Sequence, residues 1–195
     1  NIIASVVCAT LLLGVGCVAQ VEVEARKVVD AYKDAVVTVQ VVVNVKETYE
    51  GKTDSQEQKH TTTATIIDPS GLAVTSLSEV SPDSYYMDQF DRTSGYSVSV
   101  EMKDVRIKTA DGTGIPADVV LRDKDLDLAF IRPKTKPEKP LPAIDLANAS
   151  TPQVLDQVVV VSRLGQAANR APAARLDRIE SVLTKPRTLY VLNNL

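Results

Sequence analysis

IIDPSGLAVTSLSEV, residues 66–80, consists of two apolar runs joined by Asp68-Pro69-Ser70-Gly71. Proline presets φ for the first central position of a turn and glycine supplies a positive φ, so the stretch reads as a tight hairpin with strands over 61–67 and 72–75. If Ile67 pairs with Leu72, antiparallel counting puts Ala64 opposite Thr75 and Thr61 opposite Ser78.

Upstream, Val37, Val39, Val41, Val43 and Val45 alternate with Thr38, Gln40, Asn44 and Lys46. That period of two predicts a long strand with one buried face. Before it, Ala25, Val28, Val29, Tyr32 and Val36 recur at helical spacing among charged residues, which predicts a lead-in helix over 20–35. Residues 47–59 are polar and hold Gly51, Asp54 and Ser55, so they are expected to form an exposed loop. Downstream, 81–95 reads as a polar surface insertion whose Tyr85, Tyr86 and Phe90, with Tyr96 beyond, pin it to the surface. In 97–108 the alternation Val98, Val100, Met102 changes phase to Val105 and Ile107, which predicts a bulge at Lys103-Asp104. Asp111-Gly112 signals a hairpin returning through 115–121, and 126–131 is a further strand. Pro133 to Pro142, PKTKPEKPLP, reads as a semi-rigid connector, followed by strands at 154–161, 179–183 and 189–192. So many short strands mean a sandwich or a barrel, and the pattern alone leaves both open.

A chain of 195 residues suffices for one sizeable core, or for one full barrel and part of another. The net charge of −3 comes from interspersed acids and bases, which gives no reason to expect nucleic acid as a partner. Aromatics are only 4% and there is no Trp, whereas valine is abundant, the composition of strands packed on aliphatic neighbours. Residues 1–19 look like the apolar and cleavage regions of an export signal, with cleavage after Ala19. Cys17 offers an alternative: Leu13-Gly14-Val15-Gly16-Cys17 is similar to a lipobox, in which the cysteine carries a lipid anchor. Both cysteines, Cys8 and Cys17, fall in this segment, so the rest of the chain contains no disulfide.

The choice between sandwich and barrel comes from a resemblance. The hairpin 66–80, Tyr32 to Val39, Ala117 to Val120 with Arg122-Asp123, Asp127-Leu128-Ala129 and Leu155 to Val159 are similar, in order, to segments of the HtrA (Deg) serine proteases over roughly residues 25–190. The resemblance implies an all-β, trypsin-like double β-barrel, with the first barrel complete over 36–132, the connector 133–142, and a partial second barrel over 143–195. It places Asp127 at the triad acid, which in that family is buried and orients the histidine. It also places Ser78 where the family keeps that histidine, and a hydroxyl cannot replace imidazole as a base near neutral pH. His60 is the chain's only histidine. The hairpin count sets it across from Ser78 and Glu79, so a rescue base is conceivable there, although an exposed histidine at a strand start is the plainer reading.

Two further departures stand out: Thr62-Thr63-Ala64 replaces the family's Gly-Ser-Gly, and Ser162 to Gly165 is what remains of its Gly-Asn-Pro loop. Asp123, Asp125 and Asp127 spell D-x-D-x-D, but Leu128 and Lys134 stand where a calcium loop needs Gly and Glu, so neither metal nor cofactor is expected. The expectation is an exported pseudoprotease of the periplasm or cell envelope, whose partners are peptides, unfolded segments or further copies of itself. The alternatives are an active endopeptidase with its nucleophile beyond Leu195, and a β-rich interaction module unrelated to proteases.

Overall fold

The computed structural model describes residues 20–81 and 96–192. The export segment with Cys8 and Cys17, and the insertion aromatics Tyr85, Tyr86 and Phe90, lie outside the described residues. The chain divides into two compact units, one of residues 34–149 with 162–173 and one of 20–33, 150–161 and 174–192.

In the larger unit, β1 (Val36–Tyr49), β2 (Lys52–Ile66), β3 (Ala73–Ser76), β4 (Tyr96–Lys108), β5 (Gly114–Asp123) and β6 (Leu128–Pro133) close into an antiparallel barrel of order β1-β2-β3-β6-β5-β4. Closure decides against a sandwich. It rests on β1, which pairs with β2 on one side and β4 on the other. Alternation puts Val37, Val39, Val41, Val43 and Val45 on the inner face, each at most 2% exposed, against Ile66, Ile107 and Ile131. The predicted bulge is present: Val42 faces Asp104 and Val43 faces Met102, leaving Lys103 as the extra residue. The inward set switches there from Val98, Val100 and Met102 to Val105 and Ile107.

The hairpin in 66–80 closes through the Ile67 N–H to the Leu72 carbonyl (2.8 Å), with Gly71 at φ +94°. The polar segment 47–59 is not a loop. β1 runs to Tyr49, Glu50 and Gly51 turn with φ of +47° and +79°, and β2 returns from Lys52. Positive φ at both turn residues matches the two-residue hairpin whose twist suits the flanking strands. Polar side chains concealed this strand because β2 is exposed over 52–57, where it gains backbone pairing and buries little. Tyr96, just beyond the insertion, packs on Tyr49 across the β1–β4 pair, ring centres 6.5 Å apart. The proline-rich segment runs along the barrel: the Leu141 N–H donates to the Pro69 carbonyl (3.0 Å), and Leu141 and Ala143 pack on the core.

In the smaller unit, residues 20–32 form α1. β7 (Gln157–Arg163), β8 (Pro172–Leu183) and β9 (Leu189–Leu192) form a sheet in that order. β8 starts well before the expected 179, since Arg175, Asp177 and Arg178 mask its alternation, and Ile179 is its one buried hydrophobic residue.

A Cβ on Gly71 would lie 2.7 Å from Pro133 Cγ and 3.2 Å from a Leu141 methyl, besides needing the left-handed φ. Gly112, at φ +85°, has open space around it. Gly71→Ala should therefore destabilise the barrel by about 2–3 kcal/mol and Gly112→Ala by about 1 kcal/mol, read as shifts of the urea midpoint at constant slope.

Candidate functional site

Asp123 Oδ1 accepts the Leu126 N–H (3.0 Å), closing the turn that leads into β6. The next residue, Asp127, takes φ +52°, a left-handed conformation that a short polar side chain tolerates better than most. From there its backbone and side chain both meet the short helix α2 (Leu77–Val80), which follows β3 and is anchored by buried Leu77 and Val80.

The first N–H groups of a helix have no partner within it. Ser76, at the cap position of α2, makes no capping hydrogen bond with its own side chain. Asp127 supplies the cap from another strand: its carbonyl accepts the Leu77 N–H (2.9 Å) and its Oδ1 the Ser78 N–H (2.8 Å). The other oxygen, Oδ2, accepts the hydroxyls of Ser76 (2.6 Å) and Ser78 (3.0 Å), which are 2.9 Å from each other. The Ser76 hydroxyl first, then the Ser78 amide, and least the Ser78 hydroxyl hold the carboxyl below its ordinary range against an opposing effect of burial. The acid is exposed, whereas the resemblance implied a buried one.

The structure thus brings Ser78 and Asp127 together. It gives His60 a different place. The β2–β3 pairing covers only Thr65–Val74 and Ile66–Ala73 before β3 ends and α2 begins, so the counted approach of Thr61 to Ser78 is not made. His60 lies within β2 opposite Val41, in the inward phase with Thr62, Ala64 and Ile66. It is half-buried and mid-strand, not exposed at a strand start, and its Nε2 makes no hydrogen bond to Ser78 or to any other described group. Ala64 is 2% exposed opposite Val37, so the residue that replaces the family's second glycine is a core contact.

Two participants escaped the sequence reading. Ser76 completes the carboxylate's partners, and the Ser-x-Ser spacing around the buried Leu77 was its only signal. Arg163 stood in what looked like the remnant of a loop, yet its side chain is only 3% exposed. Its guanidinium donates to the carbonyls of Val36 and Arg170 and lies 3.6 Å from Asp34. With Thr38, Thr61, Thr62, Thr63 and Glu79 it lines a polar cleft of about 450 Å³, in which the buried Thr38 hydroxyl has no hydrogen-bond partner among the described residues.

The family profile described as trypsin-like peptidase domain matches residues 62–190, roughly two thirds of the chain. The match takes in Ser76, Ser78, Asp127 and Arg163. No curated protein matches the chain.

Asp127→Ala removes three side-chain hydrogen bonds and leaves alanine at a left-handed φ. It should cost about 1–2 kcal/mol, at the low end for such losses because the carboxylate is exposed. Asp127→Asn, which tolerates that φ, should lose less. Because the folded pKa is lowered, the charge contributes stability that is full above the unfolded value near 3.8 and is lost as pH falls through the folded value. The stability gap between wild type and Asp127→Asn should accordingly be constant from pH 7 to 5 and narrow below pH 4, as measured by urea titrations across that range.

Proposed function

We propose that this chain, which belongs to the trypsin-like peptidase domain family, keeps that family's all-β barrel as a binding scaffold and has given up its peptidase chemistry. The reading rests on one observation. At the position where the HtrA proteases, by resemblance, carry the general base, Ser78 stands with its amide and hydroxyl both given to Asp127. In an active triad the acid accepts a hydrogen bond from an imidazole N–H and so keeps the ring's tautomer and orientation fixed. Here the same carboxylate is satisfied by two hydroxyls and an amide, none of which takes up a proton near neutral pH. Removal of the histidine from a working triad costs about 10⁶-fold in turnover.

What remains suits binding. Over 61–63, β2 pairs with β1, and among the described residues no strand pairs with its other side, where β3 joins only at Thr65 and Ile66 and the Thr63 carbonyl accepts the Thr75 hydroxyl (2.8 Å). That open side adjoins the cleft of threonine hydroxyls, Glu79 and Arg163, a setting that favours an extended peptide or unfolded segment held through its main chain. An exported, HtrA-like pseudoprotease agrees with the apolar segment at residues 1–19, with cleavage after Ala19 or lipid attachment at Cys17. The closed barrel and the family match leave no ground for an unrelated β-rich module.

The intact protein should not cleave casein or react with a fluorophosphonate probe, and His60→Ala should leave both results unchanged. Labelling of a serine together with casein cleavage would overturn the proposal. It would restore the endopeptidase reading, with Asp127 orienting some other base and a nucleophile beyond Leu195. Loss of that activity in His60→Ala would identify the base.

A further inference from the structure

The polar cleft beside β2 is lined by residues of the larger unit alone, and it carries two opposite charges that do not meet. Glu79 lines it from α2, and Arg170 from the segment that follows β7. Neither the Glu79 carboxylate nor the Arg170 guanidinium has a hydrogen bond or an ion pair among the described residues. Elsewhere, charges close onto near neighbours, as Glu101 does onto Lys103 (2.8 Å) and Asp104 onto Arg106 (2.6 Å). In the cleft, acid and base stay apart.

The backbone keeps them so. Glu79 belongs to a helix anchored by buried Leu77 and Val80, whose first amides are capped by Asp127. Arg170 is tied through its own peptide groups: its N–H donates to the Gly165 carbonyl (3.2 Å) and its carbonyl accepts from Arg163 Nη1 (3.0 Å). It takes φ +52° directly after Asn169 at +50°. Two successive left-handed residues other than glycine cost energy that surrounding bonds must offset, and such conformations gather at sites that grip ligands. The Arg163 guanidinium, by contrast, is committed to the carbonyls of Val36 and Arg170 and to Asp34, so it helps to build the wall.

We propose, resting on the reading of this cleft as a peptide-binding groove, that it selects segments in which a basic and an acidic residue are neighbours. The base faces Glu79 and the acid faces Arg170. An extended segment sends successive side chains to opposite sides, so adjoining residues address different walls. A segment with one sign of charge meets one attractive wall and one repulsive wall, and a neutral segment desolvates both charges without pairing either. Apart from Arg163, the other lining residues are uncharged, so no third free charge blurs the choice. Both walls are held before a ligand arrives, and little ordering opposes the two new ion pairs.

Fluorescence anisotropy of the full chain with blocked, labelled heptapeptides that differ only in a central pair tests this. Against a Val-Val centre, the better of Lys-Glu and Glu-Lys should bind about fivefold tighter, and Lys-Lys and Glu-Glu should gain nothing. The advantage should shrink as salt rises from about 0.02 M to about 0.5 M, a series that needs no substitution. Glu79→Lys should move the preference to Glu-Glu and Arg170→Glu to Lys-Lys. The double exchange should bring back a mixed pair in the opposite order. Far-UV circular dichroism checks that each variant keeps the barrel. Equal binding of neutral and mixed peptides would overturn the charge selection and leave the groove reading standing. A mixed-pair preference that ignores both substitutions would overturn it too. Binding of none of the peptides at millimolar concentration would overturn both the selection and the groove.

Discussion

The corner where β3 passes into α2 is held by a residue distant in sequence. Asp127 leaves its turn with a left-handed φ, so that its carbonyl and its carboxylate both face the start of α2 and receive the Leu77 and Ser78 amides. This fixes the direction of the chain after Ser76 and seats Leu77 and Val80 in the core. Under the proposed reading, it also explains why an acid is kept at this position without a histidine to serve. The carboxylate caps a helix and collects two hydroxyls, and each of those bonds favours its charged form.

Much of the barrel was legible because its inner face is written in valine with a period of two. The phase change at Lys103 announced the bulge, and Asp68 to Gly71 announced the turn. The long hairpin around Gly51 was not legible, since pairing there continues without burial and its side chains carry no alternating signal. The first half of β8 was hidden in the same way by Arg175, Asp177 and Arg178. Within the site, Ser78 and Asp127 were found through resemblance. Ser76 and Arg163 were missed because a hydroxyl or a guanidinium acquires its role from partners far along the chain. The placement of His60 failed for a simpler reason: strand counting assumes that a hairpin continues, and β3 ends after four residues.

The barrel and the long hairpin around Gly51 put different demands on sequence. Inside, β1 must supply an unbroken apolar column, and Ala64 fits that column where glycine would leave a gap opposite Val37. Outside, the hairpin needs only paired backbone.

Carbon-13 NMR of the Asp127 carboxyl during an acid titration measures the state of this carboxylate directly. A pKa below the ordinary value near 3.8, returning towards that value when Ser76 and Ser78 are both changed to alanine, is the predicted result. An ordinary pKa in the unmodified protein, unmoved by the two substitutions, would contradict the view that hydroxyls and amides have taken the place of the imidazole.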